Sequence, residues 1–431
     1  MSFQVVPSAA AIGRGNGEVT AFFSFGSSGN VAEFKSKVVQ HDQVAGVARK
    51  PRNGRKRALQ WAKRVERRLS RTSAPTADRL RRIADRTGIT HVLTQGSHDP
   101  SRTSRHRQSL VNQMIASGQR GELERVREIS ARLNANAIPS ASEAGAQKAA
   151  ESFAHYALDG SGGTPLTLTW WPRPFPGNFG DWLSPMVLQS ASSRPIKYLA
   201  PTAPSLQPNL VMIGSIGRFI RSRSIVVGTG IASDEIELNT SAEYLSVRGP
   251  VTADLLRRQG GPSVESFGDP GVLLSRVLPV ERGLTNGRIA LVRHFTHANL
   301  PVTLPEGWDE VSVLRSHPDE IRDFVVTLAG YDAVVTSAMH VMIACHSYGI
   351  PCALIGFRGF EDAVHGTGLK YRDYSLGAGL AEAWEPVAVD LDLRRTRWDD
   401  LIRPEQISAD KLDEVEAAVA AGIAAYLART D

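Results

Sequence analysis

Residues 333–357 read AVVTSAMHVMIACHSYGIPCALIGF, and their pattern determines the predicted fold class. Two apolar, β-branched runs, Ala333–Thr336 and Ala353–Phe357, flank a helical pattern from Met339 to Tyr348, which ends at Gly349-Ile-Pro351. A strand, a helix and a second strand in this order predict a parallel βαβ unit. The residues that follow the carboxyl ends of such strands are expected to contact ligands.

Similar strand and helix patterns alternate from residue 164 onward, which predicts an α/β protein. We expect two Rossmann-like domains, residues 151–280 and 281–431, that face each other across a cleft, with an Ala-rich helix over Leu412–Leu427 closing the chain. The predicted strands, besides the two above, are Leu166–Trp171, Leu210–Ile213, Ile225–Val227, Tyr244–Val247, Ile289–Val292 and Glu310–Leu314.

The first 150 residues are predicted to form a separate basic module that is mainly helical. They carry a net charge of +15, whereas residues 151–431 carry −9, and such asymmetry is typical of modules with different partners. A linker is expected over Asn134–Gly145, which is small, polar and Pro-containing. Strands are predicted at Glu18–Phe25 and Ile89–Gln95, and helices at Leu59–Ser70, Thr76–Arg86, Arg107–Ala116 and Glu122–Leu133.

The densest basic segment, residues 49–71, has lysines and arginines all around a predicted helix. This pattern fits a solvated face, or peripheral contact with an anionic membrane surface. No nucleic-acid motif accompanies the segment, which disfavours nucleic acid as a partner.

The bulk composition is that of a soluble protein, with 42% hydrophobic and 22% charged residues. The amino terminus lacks the basic start and apolar run of a signal peptide. Cys345 and Cys352 are the only cysteines, which fits a reducing compartment and argues against a disulfide scaffold. The expected location is therefore the cytoplasm, either free or peripheral at the inner face of the membrane.

Four polar signatures follow or end the predicted strands, and each has a structural as well as a functional interpretation. Asp181 of Asn178-Phe-Gly-Asp181 either is a helix N-cap or deprotonates or orients a ligand hydroxyl, with Asn178 and Gly180 shaping a loop that a ligand can approach closely. Arg248 of Ser246-Val-Arg-Gly-Pro250 pairs either with a carboxylate such as Asp254 or Glu265, or with a substrate anion.

The third and fourth signatures are Gly268-Asp-Pro270 and Ser337-Ala-Met-His340. Asp269 is expected mainly to stabilise a turn, and it is also a candidate substrate-binding residue. His340 is either a buried core residue or a proton donor, with Met339 beside it in the site. His346 is six residues further along the helix and faces elsewhere, so no metal site is predicted.

Two loops are additional candidates for substrate binding. Gly228-Thr229-Gly230 follows Ile225–Val227 and is either a plain tight turn or an anion-binding one. Arg293 and His294 follow Ile289–Val292 and are candidates to supply positive charge.

The ordered set of four signatures resembles the polysaccharide pyruvyl transferase family, over roughly residues 164–360. The fourth signature departs from the family pattern at Ala338, where many members carry Arg, and at Val341, where Gly is usual. The resemblance implies a glycosyltransferase-B-like arrangement of the two domains. Arg293 and His294, and next Arg358, are the candidates to replace the cation missing at Ala338.

The resemblance also implies an activity: the pyruvyl group of phosphoenolpyruvate is transferred to a sugar of an exopolysaccharide or cell-surface glycan precursor. The expected product is a cyclic ketal, phosphate is released, and no cofactor is expected. His340, Asp181 and Arg248 are the expected catalytic residues, and the acceptor is a sugar or oligosaccharide, free or lipid-linked. Two alternatives remain open: a nucleotide-sugar glycosyltransferase on the same fold, and a non-catalytic scaffold in polysaccharide assembly.

Overall fold

The computed structural model describes residues 102–430, except 137, 159, 161 and 367, together with three strands nearer the amino terminus. The chain divides into two compact units, residues 1–61 and 62–431. In the first unit, β1 (Gly13–Gly15), β2 (Glu18–Phe23) and β3 (Ala32–Lys37) form an antiparallel sheet.

Of the predictions for the first hundred residues, only the strand at Glu18–Phe25 falls on described residues, and β2 confirms it. The predicted strand Ile89–Gln95, the predicted helices Leu59–Ser70 and Thr76–Arg86, and the basic segment 49–71 lie outside the described residues.

Three helices open the described part of the second unit: α1 (Arg102–Gln119), α2 (Leu123–Asn136) and α3 (Ala141–Leu158). They confirm the helices predicted at Arg107–Ala116 and Glu122–Leu133. The predicted linker Asn134–Gly145 is wrong, because Ser140 and Glu143 form a capping box that starts α3: the Ser140 amide donates to Glu143 over 2.8 Å, and the Glu143 amide donates to the Ser140 hydroxyl over 3.3 Å.

The first of two parallel sheets follows α3. Its strands are ordered β5-β4-β6-β7-β8 across the sheet. The elements of this half are β4 (Leu166–Thr169), α4 (Phe179–Ser192), β5 (Ile196–Tyr198), β6 (Asn209–Val211), β7 (Ser224–Val227), β8 (Glu243–Ser246), α5 (Pro250–Arg258) and α6 (Leu274–Val277).

The second parallel sheet repeats this arrangement, with the order β10-β9-β11-β12-β13. Its elements are β9 (Ile289–Val292), β10 (Trp308–Glu310), α7 (Pro318–Ala329), β11 (Ala333–Thr336), α8 (Met339–Tyr348), β12 (Cys352–Phe357), α9 (Leu369–Gly377), β13 (Val387–Val389) and the closing helix α10 (Ala409–Leu427).

These two sheets confirm the α/β class predicted from the sequence. Central strands such as β4, β7 and β11 are buried along their whole length, as expected for parallel strands covered by helices on both faces. Numbered within its own half, each sheet has the order 2-1-3-4-5. The strand order therefore reverses between β4 and β6 in the first sheet, and between β9 and β11 in the second, and ligands bind at such points.

Several helices connect the two halves of the second unit. On α3, the Ser152 hydroxyl lies 2.9 Å from that of Ser316, and Lys148 pairs with Glu320 of α7. The closing helix α10 returns to the first sheet, where a Cβ added to Gly422 would lie 2.5 Å from Cγ2 of Val227. None of the helices among the described residues is long and apolar enough to cross a membrane.

Candidate active site

The first residues of α4 carry the Asn178-Phe-Gly-Asp181 signature. Asn178 is the N-cap residue, and Asp181 is the third residue of the helix. The interpretation of Asp181 as an N-cap is therefore wrong, and the helix begins at Phe179 rather than at Trp182. The Asn178 side-chain amide donates to Oδ2 of Asp181 over 3.0 Å, which orients the carboxylate at the point where the first sheet reverses its strand order.

At Gly180, the two halves of the second unit come into contact beside the cluster. A Cβ at this position would lie 2.2 Å from Nδ1 of His340, so only glycine leaves room for the imidazole in this arrangement. His340 is the second residue of α8, which follows β11 of the second sheet. The first turns of α4 and α8 therefore meet, and both present the partial positive charge of a helix N-terminus.

His340 also faces a buried carboxylate. Its Nε2 lies 3.6 Å from Oδ2 of Asp269, and neither atom has a hydrogen-bond partner within the described part of the chain. The other carboxylate oxygen, Oδ1, accepts a hydrogen bond from the amide of Gly271 over 3.0 Å, which confirms the predicted turn-stabilising role of Asp269. The side chain of Asp269 is fully buried, and that of His340 is 12% exposed. Asp269 thus lies behind the imidazole and can orient it.

Lys370 is a member of this cluster that the sequence did not indicate. It is the second residue of α9 and is buried, and its Nζ donates to the carbonyl oxygen of His365 over 3.1 Å. Its ammonium is close enough to Asp181, Arg248 and His294 to interact with each of them electrostatically. No motif surrounds Lys370, so only the fold brings this cation into the site.

Burial shifts the pKa values of Asp181, Lys370 and His294 in the direction that favours their neutral forms. It raises the pKa of Asp181 to about 6, against the opposing effects of the Asn178 hydrogen bond and of His340 and Lys370. Burial, assisted by Arg248, lowers the pKa of Lys370 to about 8, although Asp181 opposes the shift. Burial also lowers the pKa of His294 to about 3, so this imidazole is neutral at physiological pH.

The loop after β9 is fixed by Ser337 and Arg293. The Ser337 hydroxyl accepts from the His294 amide over 2.9 Å and lies 2.9 Å from Nδ1 of His297. Arg293 pairs with Glu310 over 2.6 Å and donates to the carbonyl oxygens of His297 and Leu300. Arg293 therefore anchors the loop in this conformation, while His294 lies beside Lys370 and His340.

Arg248 is fully buried below the cluster. Its guanidinium pairs with Asp373 of α9 over 3.0 Å and donates to the Ser215 hydroxyl over 2.7 Å and to the Ile231 carbonyl oxygen over 2.6 Å. Its carboxylate partner is therefore Asp373, and not Asp254 or Glu265 as the sequence suggested. Asp373 also accepts from the backbone and hydroxyl of Thr252, so it joins α9 to the first turn of α5.

The Gly228-Thr229-Gly230 turn packs tightly in this arrangement. A Cβ at Gly230 would lie 2.4 Å from Cζ of Arg248, and one at Gly228 would lie 2.2 Å from Cδ of Pro270. The amides of both glycines donate to protein carbonyl oxygens, those of Ser246 and Gly214. The turn therefore packs against the guanidinium of Arg248 and the loop that contains Asp269. Met339, another predicted site residue, is buried at the start of α8.

The fold and this cluster define the class of the molecule. Two doubly wound sheets bring two carboxylates, two imidazoles and a buried ammonium together near the points where their strand orders reverse. This layout is that of an α/β protein whose polar side chains converge at the positions where ligands bind in such sheets.

Comparison with known proteins narrows this class. Residues 206–357 match the model of the polysaccharide pyruvyl transferase family, which confirms the resemblance over this part of the chain. The match includes Arg248, Asp269, His294 and His340, but neither Asp181 nor Lys370.

One relative is uncharacterized protein L143 of Acanthamoeba polyphaga mimivirus, which is 24% identical over 177 residues. The alignment covers 40% of this chain and 61% of the relative. No solved structure matches the chain.

Proposed function

We propose that this protein transfers the pyruvyl group of phosphoenolpyruvate to two hydroxyls of one sugar in a polysaccharide or its precursor. The observation that carries the proposal is the meeting of Asp181, His340 and Lys370 where two parallel sheets each reverse their strand order. The family match over residues 206–357 supports the type of group transferred. We further propose that the two halves of the unit are related as in the glycosyltransferase-B arrangement.

In this proposal, the negative charges of phosphoenolpyruvate account for the positive charge in the cluster. Phosphoenolpyruvate carries a phosphate and a carboxylate on a three-carbon skeleton, so its site requires cations and backbone amides. Lys370 and the first turns of α4 and α8 supply them in this proposal. Lys370 also takes the place of the cation that family members carry at the position of Ala338. Arg248, whose guanidinium is engaged by Asp373, positions α9 and thereby Lys370.

The proposed reaction proceeds through protonation of the donor. His340, oriented by Asp269, donates a proton to the methylene carbon of the enol, and the neighbouring carbon gains oxocarbenium character. The oxygen of the first sugar hydroxyl bonds to this carbon as Asp181 accepts its proton. The second hydroxyl oxygen then forms the ketal bond as the carbon–oxygen bond to phosphate breaks, and its proton leaves with the phosphate.

This function is tested by incubating the purified chain with phosphoenolpyruvate and a panel of acceptor glycans. We expect release of inorganic phosphate that depends on the acceptor, and an acceptor mass increased by one ketal-linked pyruvate. A product formed only from a nucleotide sugar, or binding of phosphoenolpyruvate without turnover on any acceptor, would contradict the proposal.

A further inference from the structure

A loop crosses from the second sheet toward the first beside the candidate active site. It comprises residues 358–366, RGFEDAVHG, and is called the strap below. It begins directly after β12, next to β11, and β11 leads to His340. The carboxyl ends of these parallel strands lie at the same edge of the sheet, so the strap starts on the side where the site lies.

Contacts with both halves of the unit hold the strap in place. At its far end, a Cβ added to Gly366 would lie 2.6 Å from the carbonyl oxygen of Ala232, which belongs to the loop after β7 of the first sheet. The carbonyl oxygen of His365 accepts a hydrogen bond from Nζ of Lys370 over 3.1 Å. The strap therefore spans between the halves and directly contacts a cation of the cluster.

An ordered turn at the start of the strap holds a partly exposed aromatic side chain. The Phe360 amide donates to the Phe357 carbonyl oxygen over 2.9 Å, and the Phe360 carbonyl oxygen accepts from the Ala363 amide over 2.9 Å. Glu361 accepts from the Gly359 amide over 2.9 Å, and Gly359 adopts a φ of 76°. Phe360 is 38% exposed in this turn, and the next carboxylate, Asp362, is also exposed.

An exposed ring on a fixed turn beside an active site is suited to a sugar. One face of a pyranose consists of C–H groups that pack on an aromatic ring, while its hydroxyls donate hydrogen bonds to carboxylates. Phe360 and Asp362 present this combination two residues apart.

We propose that the strap binds the acceptor: the sugar ring packs on Phe360, and the sugar hydroxyls donate hydrogen bonds to the carboxylate of Asp362. This inference rests on the proposed function for the identity of the reaction, and it adds the element that selects the acceptor. Binding of the acceptor against the strap would place the sugar beside Lys370 and the donor held by it.

The test measures glycan binding separately from turnover. Labelled wild-type protein and the variant Phe360→Ala are applied to an array of hexose and N-acetylhexosamine oligosaccharides, and phosphoenolpyruvate affinity is measured by calorimetry. We expect Phe360→Ala to weaken glycan binding about 10-fold or more, equivalent to about 1.4 kcal/mol, with the affinity for phosphoenolpyruvate unchanged. Phe360→Trp should retain binding. Leu284→Ala, at a fully exposed apolar residue elsewhere, should behave as wild type.

Equal glycan binding by wild type and Phe360→Ala would overturn the proposal, and so would the absence of glycan binding by the wild type. The failure of the proposed function has a different signature, because it would appear as no phosphate release from phosphoenolpyruvate. Glycan binding that depends on Phe360 without such release would leave the strap proposal standing and remove pyruvyl transfer.

Discussion

Nε2 of His340 lies 3.6 Å from Oδ2 of Asp269, and both atoms are buried without another partner among the described residues. The separation is within the range of an ion pair but longer than a hydrogen bond. A small movement of the imidazole would close this gap. A buried carboxylate behind a histidine fixes the orientation of the ring.

The first prediction concerns this pair. Asp269→Asn keeps the side-chain shape and the oxygen that accepts from Gly271, but it removes the negative charge facing His340. We expect kcat for phosphate release to fall roughly 10- to 100-fold, since the proton donor is less well oriented. Steady-state kinetics measure the effect, with circular dichroism to verify the fold. Unchanged kcat in a folded Asp269→Asn variant would show that the carboxylate only stabilises the turn.

The second prediction concerns the contact between Gly180 and His340. In Gly180→Ala, the new methyl group would lie 2.2 Å from Nδ1, so the imidazole must move by about 1 Å. A displacement of this size can lower kcat/KM about 100-fold. The matched control is Gly283→Ala, because a Cβ there has no neighbour within 4 Å. Comparable activity of Gly180→Ala and Gly283→Ala would contradict the contact.

The third prediction is the dependence of kcat/KM on pH. The pKa of Asp181 is raised to about 6 and that of Lys370 is lowered to about 8, in both cases mainly by burial. The proposed base must be ionised and the proposed cation protonated. Activity should therefore rise as the pH increases through about 6 and fall as it increases through about 8.

A variant separates the two limbs of this profile. Lys370→Arg keeps a cation that does not deprotonate in the accessible pH range, so the alkaline limb should move to higher pH while the acidic limb stays near 6. Measurement of kcat/KM from about pH 4 to about pH 10 tests this. An alkaline limb that stays near 8 in Lys370→Arg would remove Lys370 from the profile.

The fourth prediction concerns the buried pair of Arg248 and Asp373. Asp373→Ala leaves a buried guanidinium without its carboxylate, and such a change typically costs about 3–5 kcal/mol in the free energy of unfolding. Urea denaturation measures the loss. The double variant Arg248→Met with Asp373→Leu should recover a large part of it, because no buried charge remains. A loss below about 1 kcal/mol in Asp373→Ala would mean that the pair does not join α9 to the first half.

Much of the fold could be predicted from local pattern. The apolar, β-branched central strands are buried on both faces, so their sequence is distinctive. The edge strands β5 and β13 escaped prediction because each has three residues and is exposed in part, which leaves no continuous apolar run. The predicted strand Glu310–Leu314 was placed too late, since β10 spans Trp308–Glu310.

The candidate site was predictable only in part, because some of its residues are distant in sequence and meet only when the helices pack. Asp181 and His340 lie at strand ends within recognisable motifs, and the structure brings their loops together through Gly180. The partner of Arg248 could not be read from the sequence, because Asp373 is 125 residues away and reaches it only when α9 packs on α5. Lys370 is on the same helix, and its place in the site depends on the same packing.

The decisive measurement compares wild type with His340→Ala in one reaction containing phosphoenolpyruvate and an acceptor glycan, following phosphate and the acceptor mass together. We expect the wild type to release one phosphate for each ketal formed, and His340→Ala to lose both products by roughly 100-fold or more. Equal rates for the two proteins, or phosphate release without any gain in acceptor mass, would contradict the proposed transfer.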